Sequence, residues 1–253
     1  MANEIDIDFG SLNLNADNNI AIADIDTQER MAAKAHSIPK SDHSIIETMR
    51  RSSLIITVNG DIAGTDYDDL RTNIDTLKAG LYNGSQKFTM DDDRYIMAQL
   101  QSFNYKYVAF RTLAKWKAVF VAAYPYWLAE VAGNDSRDPT SDVTYNITNS
   151  GNAPARLRVR VTNGTGGAIS DDIAFTNTTN GENFRWVGSL ANAKVLDVDN
   201  RYTTDDFKVL DDGADAHTNY EGSFITLEPG VNAVKFTGPA SVTVELDWRD
   251  TYI

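Results

Sequence analysis

Three histidines, His36, His43 and His217, are the first residues in this chain to examine for chemistry, and their spacing argues against a metal centre. His36 and His43 lie seven residues apart, which matches no ligand spacing on a helix or a strand, and His217 is far from both. The chain has no cysteine, which excludes disulfides, thiolate metal sites and cysteine nucleophiles together. Two carboxylates can hydrolyse a glycosidic bond, but Asp91-Asp92-Asp93 and Asp211-Asp212 sit in turn-like surroundings, where adjacent acids are solvated loop tips. The segment "DVDNRYTTDD" (197–206) offers oxygens to Ca²⁺ without the central Gly and terminal Glu of an EF-hand loop. There is no Gly-rich phosphate loop, nucleophile elbow or His-Glu-x-x-His motif. These residues lead us to expect no enzyme, no metal and no cofactor.

Aromatic side chains leave one binding chemistry open, because a ring face can stack on a pyranose. Trp248 falls in phase with Val244 and Leu246 and is expected in a core, so Trp186, with Tyr202, is the candidate glycan platform. The triplet Asn146-Ile147-Thr148 has the form of a glycosylation acceptor, but it carries no weight without a secretory signal.

The 253 residues include 36 acidic and 23 basic side chains, a formal charge of −13. Such a surface repels phosphate, and no basic amphipathic helix points to a membrane, so protein, sugar or a small molecule is the expected partner. The opening "MANEIDIDFG" places acids where a signal peptide needs basic and apolar residues, and no apolar run of roughly 18 residues occurs. A chain synthesised in the cytoplasm, long enough for two domains, is expected.

The elements follow from hydrophobic period. "NNIAIADIDT" sets Ile20 and Ile22 against alanines, then Ile25 falls out of phase, which predicts a short strand near an edge. "AHSIPKSDHSIIETMRRSS" reads as a long hairpin or arm, about 36–46, too poor in apolar residues for a core. "SLIITVNGDIAG" (53–64) is a strand with Leu54, Ile56 and Val58 on one face. A helix over 66–82 is predicted, with Thr65 as N-cap, acids in the first turn, Leu70, Ile74, Leu77 and Leu81 as a buried stripe, and Asn83-Gly84 as the stop. "KFTMDDDRYIMAQLQSFNYKYV" reads as strand, acidic turn, strand. "TLAKWKAVFVAAY" is a half-buried strand whose Lys115 and Lys117 discourage edge pairing. Pro125 closes it, flanked by Tyr124, Tyr126 and Trp127, and marks a boundary.

Residues 131–142 read as a linker. Beyond them "RLRVRVT" (156–162) and "VTVELDW" (242–248) commit every second residue to a core. Short strands are expected between them around Ile173, Phe184, Val195, Phe207, Phe224 and Val234, which is the pattern of a β-sandwich.

Taken as a run, residues 36–130 resemble the distal tail proteins of long-tailed bacteriophages. The likeness lies in the order of "HSIP", "IITVNGDIAGTDYDDLRTNIDTLKAGLYNG", "DDRYI" and "KAVFVAAYPYW", and extends more loosely to "NSGNAPARLRVRV", "LEPGVNAVKF" and "VTVELDWRD". It departs at the arm tip, where Lys40-Ser41-Asp42-His43 stands in place of a Gly-containing charged turn. The resemblance implies a mainly β protein with one helix: a ring-forming α+β domain over 1–130, then a galectin-like, jelly-roll sandwich over 143–253. It also implies a homohexameric ring in the virion that joins the tail tube protein to hub, fibre or receptor-binding proteins, with DNA passing through unbound. His36, Ile38, Pro39, Leu54, Ile56 and Val58 would serve the arm and the oligomer, and Tyr124, Pro125, Tyr126 and Trp127 the exit into the second domain. Glycan binding by the sandwich is the alternative.

Overall fold

The computed structural model describes residues 7–14, 19–37, 44–91, 93–108, 112–139, 142–170, 173–201 and 208–253, and the chain divides into two units, Met1–Trp127 and Leu128–Ile253. The first unit is one antiparallel sheet with a helix packed on it. Its strands are β1 (Asp8–Phe9), β2 (Leu12–Asn13), β3 (Ile20–Ser37), β4 (Ser44–Ala63), β5 (Ser85–Asp91), β6 (Arg94–Tyr107) and β7 (Leu113–Ala122), in spatial order β2-β1-β5-β6-β7-β4-β3.

The helix, α1 (Tyr67–Leu81), forms where the leucine stripe predicts it, and Leu70, Ile74, Leu77 and Leu81 are all buried. Its cap lies one residue later than expected. The Asp66 side chain, not Thr65, accepts the Asp69 N–H at 2.9 Å, while the Asp69 carboxylate reaches back to the Thr65 N–H at 2.7 Å. The sequence contains both registers of acid three residues after a capping residue, and the extended backbone at Asp66 selects this one. Asn73 ties the helix to the end of β4 by donating to the Ala63 carbonyl at 2.9 Å.

Two bulges explain strands whose alternation is broken in the sequence. β3 slips register between Ile22 and Asp24, so Ile20, Ile22 and Ile25 all pack on the same core although Ile25 is out of phase. β6 slips between Leu100 and Ser102, which hands the inward face from Ile96, Ala98 and Leu100 to Phe103 and Tyr107. The sheet also curls: Phe9 on β1 and Phe88 on β5 bring their rings to 4.8 and 5.2 Å from Phe120 on β7, two strands away from β5. The curl and α1 together enclose the core.

Three expectations need correcting here. β3 is not short but spans 18 residues. β7 is not an edge strand: it lies between β6 and β4, so Lys115 and Lys117 project from the middle of a sheet. Leu54, Ile56 and Val58 are buried among the core residues of the first unit, so they hold β4 in its own sheet and do not face another chain.

Tyr124, Pro125 and Tyr126 follow β7 directly. Their rings at 124 and 126 lie 4.7 Å apart, the Arg51 guanidinium sits 5.6 Å above Tyr126, and Trp127, packed against the first core, is the last residue of the unit.

The second unit is a sandwich of two antiparallel sheets. After β8 (Trp127–Ala129) come β9 (Gly133–Arg137), β10 (Val143–Asn149), β11 (Ala155–Asn163), β12 (Ile173–Asn177), β13 (Asn183–Trp186), β14 (Val195–Asp199), β15 (Lys208–Asp211) and β16 (Ala214–Asp215). β17 (Tyr220–Gly222), β18 (Thr226–Leu227), β19 (Gly230–Thr237), β20 (Val242–Trp248) and β21 (Thr251–Tyr252) complete it. One sheet runs β10-β19-β12-β13-β17 and the other β16-β15-β14-β11-β20-β9. The two strands with the clearest alternation, β11 and β20, pair directly, with Val159 opposite Leu246 and Val161 opposite Val244. Their inward residues meet Tyr145, Phe175, Phe184, Trp186 and Phe236 from the facing sheet.

Residues 131–142 are not a plain linker, because β9 pairs with β20 there. It is a short edge strand with mostly exposed polar residues, so it shows no alternation to read. Phe224 falls between β17 and β18 and not in a strand, while Phe207 lies outside the described residues.

Candidate assembly surface

Residues expected to do small-molecule chemistry are engaged elsewhere. Trp186 is fully buried in the sandwich core, which corrects its assignment as a glycan platform: the strand alternation Phe184, Trp186 points inward, and no ring face meets solvent. Tyr202 lies outside the described residues. Asp197 and Asp199, in the segment weighed for Ca²⁺, are held by arginines. Arg158 makes a two-pronged contact with Asp197 at 2.8 and 2.5 Å, and Arg201 does the same to Asp199 at 3.0 Å for each prong. Among the described residues no group of three or more His, Asp or Glu side chains is placed to hold a metal ion, and no helix is long and apolar enough to cross a membrane. His217 contacts Asp215, His36 pairs with Ile45 across the β3–β4 hairpin, and His43 lies outside the described residues.

The arginine cluster has a consequence for stability. Burial by itself would raise the Asp199 carboxyl, but hydrogen bonds from the Arg201 side chain and N–H, with the charges of Arg201 and Arg158, outweigh it and hold the group below its ordinary value. A carboxyl depressed in the folded state adds stability above its unfolded pKa, and loses that contribution as pH falls through the folded value. The melting temperature of the second unit is therefore expected to drop between about pH 5 and about pH 3. Asp199→Asn should cost about 2 kcal/mol at neutral pH and flatten that slope; an unchanged pH profile in calorimetry would refute the assignment.

What the first unit does expose is strand. β3 is the last strand of its sheet, so one side of its backbone has no neighbour among the described residues. β4 pairs with β7 only from Leu54 onward, whereas β3 and β4 continue to pair with each other out to Ser37 and Ser44. From Met31–Arg51 to that end, the two strands form a ribbon about 20 Å long with no third strand beside it. This is the arm expected from the sequence, although it starts well before residue 36; Ile38 and Pro39, assigned to it, lie outside the described residues.

The sheet also has an open face opposite α1. Alternation buries Ala114, Trp116, Ala118 and Phe120 on the helix side and turns Lys115 and Lys117 to the other. Across the strands, Lys115 is opposite Asp61 and Lys106, and Lys117 is opposite Asn59 and Asn104. A shallow concavity of about 350 Å³ lies among these residues. The sequence shows Lys115 and Lys117 alternating, but only the pairing register brings Lys106 beside them.

No family model matches the chain, and no curated protein matches it. Among solved structures it is similar to the Dit protein of phage SPP1, described as a paradigm of the hub adsorption apparatus in phages infecting Gram-positive bacteria. The TM-score is 0.74 at 12% identity, covering 99% of this chain and 100% of that one. A chain of the phage p2 baseplate in its activated conformation aligns more weakly, with a TM-score of 0.49 at 6% identity over 93% of this chain and 92% of that one. Sheet, helix, hairpin and sandwich thus occur together in one order over nearly the whole chain, and the fold of this protein is that of a phage Dit protein.

Proposed function

We propose that this chain is a structural component of a phage tail tip: a ring of six copies that joins the distal end of the tail tube to hub, fibre or baseplate proteins and leaves a channel for DNA. The observation that carries the reading is the full-length match in fold to SPP1 Dit, with both units and the long hairpin included. Physical chemistry supports self-assembly. A two-stranded ribbon is marginal in water, and an open strand edge is a template for pairing. Laying the arm and the β3 edge on a neighbouring copy satisfies both, and a contact between two different patches repeats head to tail until a ring closes. The reading places the protein in the virion. The alternative of glycan binding lost its principal residue when Trp186 proved to be buried.

Purified protein is expected to show a mass near six copies by light scattering. Excising residues 32–50 and joining Met31 to Arg51, which are paired, through an Asn-Gly turn should leave a folded monomer with an intact circular dichroism spectrum. A shortened chain that still forms six-copy rings would mean that the arm does not join the subunits. A strict monomer for the full chain would favour a free-standing binding module.

A further inference from the structure

The open face of the first sheet is not uniformly charged but divided. Asp24 and Asp26 on β3 are opposite Asn59 and Thr57, so they share the face that carries Lys115, Lys117 and Lys106. These five side chains are exposed, and among the described residues none of them makes an ion pair. Acids thus occupy one margin of the face and lysines the other, with Asp61 between them. The span from β3 to β6 is three strand spacings, about 15 Å, which exceeds the Debye length of about 8 Å at physiological salt. The two margins therefore cannot neutralise each other within one copy. Lys115 and Lys106 even stand directly across from each other, an arrangement that disfavours the isolated sheet.

A head-to-tail contact removes the conflict, because it brings the β3 margin of one sheet to the opposite margin of the next. We propose that the occupant of this face is a second copy of this chain, with Asp24 and Asp26 of one copy set against Lys106, Lys115 and Lys117 of its neighbour. The proposal rests on the ring reading above and adds what orients the copies. Duplex DNA is the other polyanion to weigh, but three acids share the face with the three lysines and the whole chain carries −13, so phosphate is repelled. Charge complementarity between margins instead fixes direction and rejects tail-to-tail pairs, in which like charges would meet.

The test uses the full chain and two charge-reversed variants, Asp24→Lys/Asp26→Lys and Lys106→Glu/Lys117→Glu. All four positions are exposed, so both variants should melt like the wild type. Wild-type rings, followed by light scattering, should weaken when ionic strength rises from about 0.1 M to about 1 M, as the Debye length falls from about 10 Å to about 3 Å. Each variant alone should need at least about a hundredfold more protein to assemble. Mixed in equal amounts they should assemble again, into rings that alternate the two variants and therefore hold an even number of copies. If both variants assemble like the wild type, or the mixture gains nothing, the charge pairing is wrong while the ring stands. If the lysine variant assembles normally but loses retention of duplex DNA, the face belongs to nucleic acid and the proposal fails. A wild type that stays monomeric in low salt would overturn the ring reading, and this proposal with it.

Discussion

Leu77→Asp is expected to leave the first unit unfolded while the second melts as before. Leu77 is fully buried at the centre of the α1 stripe, so truncating it to a small residue would already cost about 2–5 kcal/mol. The carboxylate adds a desolvation cost that no cationic partner in that apolar cluster offsets, and the sum reaches the roughly 5–15 kcal/mol on which a domain of this size rests. Calorimetry on the full chain should show the transition of the first unit lost, together with the helical signal. Thr76→Asp, on the exposed face of the same helix, should shift stability by no more than about 0.5 kcal/mol. If Leu77→Asp kept two transitions and its helix, α1 would not be the lid of this core.

Gly60→Val should be nearly as damaging, and its damage should reach assembly. Gly60 sits in β4 opposite Trp116 on β7 and Ile22 on β3, and a Cβ there would lie 2.4 Å from the Ala21 carbonyl oxygen and 2.7 Å from the Trp116 ring. Both neighbours are held, one by the edge strand's backbone and the other as a core side chain. Forcing them apart is expected to cost more than about 3 kcal/mol. The strand free to move is β3, since it is paired on one side only. Amides of residues 20–30 should then exchange with solvent many times faster, and rings should fail to form even where α1 remains folded. Wild-type exchange and wild-type mass in this variant would show that the β3 edge is not needed for self-association.

Much of this was legible in the sequence where one local period operates. The α1 stripe, the β11 and β20 alternations and the chain break at Pro125 each depend on residues within one element, and each appears where its pattern lies. Legibility failed where one residue changed the phase or where a neighbour supplied the reason. The bulges in β3 and β6 broke the alternation, so an 18-residue edge strand read as a short one. β9 has no apolar rhythm because it is a polar edge held by β20. Trp186 carries no local mark that separates a core ring from a binding ring; only the facing sheet buries it.

The sequence by itself determined that this chain has no cysteine chemistry, that one helix packs on strands in its first half and that alternating strands build its second. Those conclusions need only composition and side-chain period, which are properties of a single segment. The tertiary structure alone decided which strand lies at the edge, how far the hairpin runs beyond its sheet and which charges share a face. Each of these depends on pairing register between segments far apart in the chain, where a shift of one residue turns every side chain to the other side.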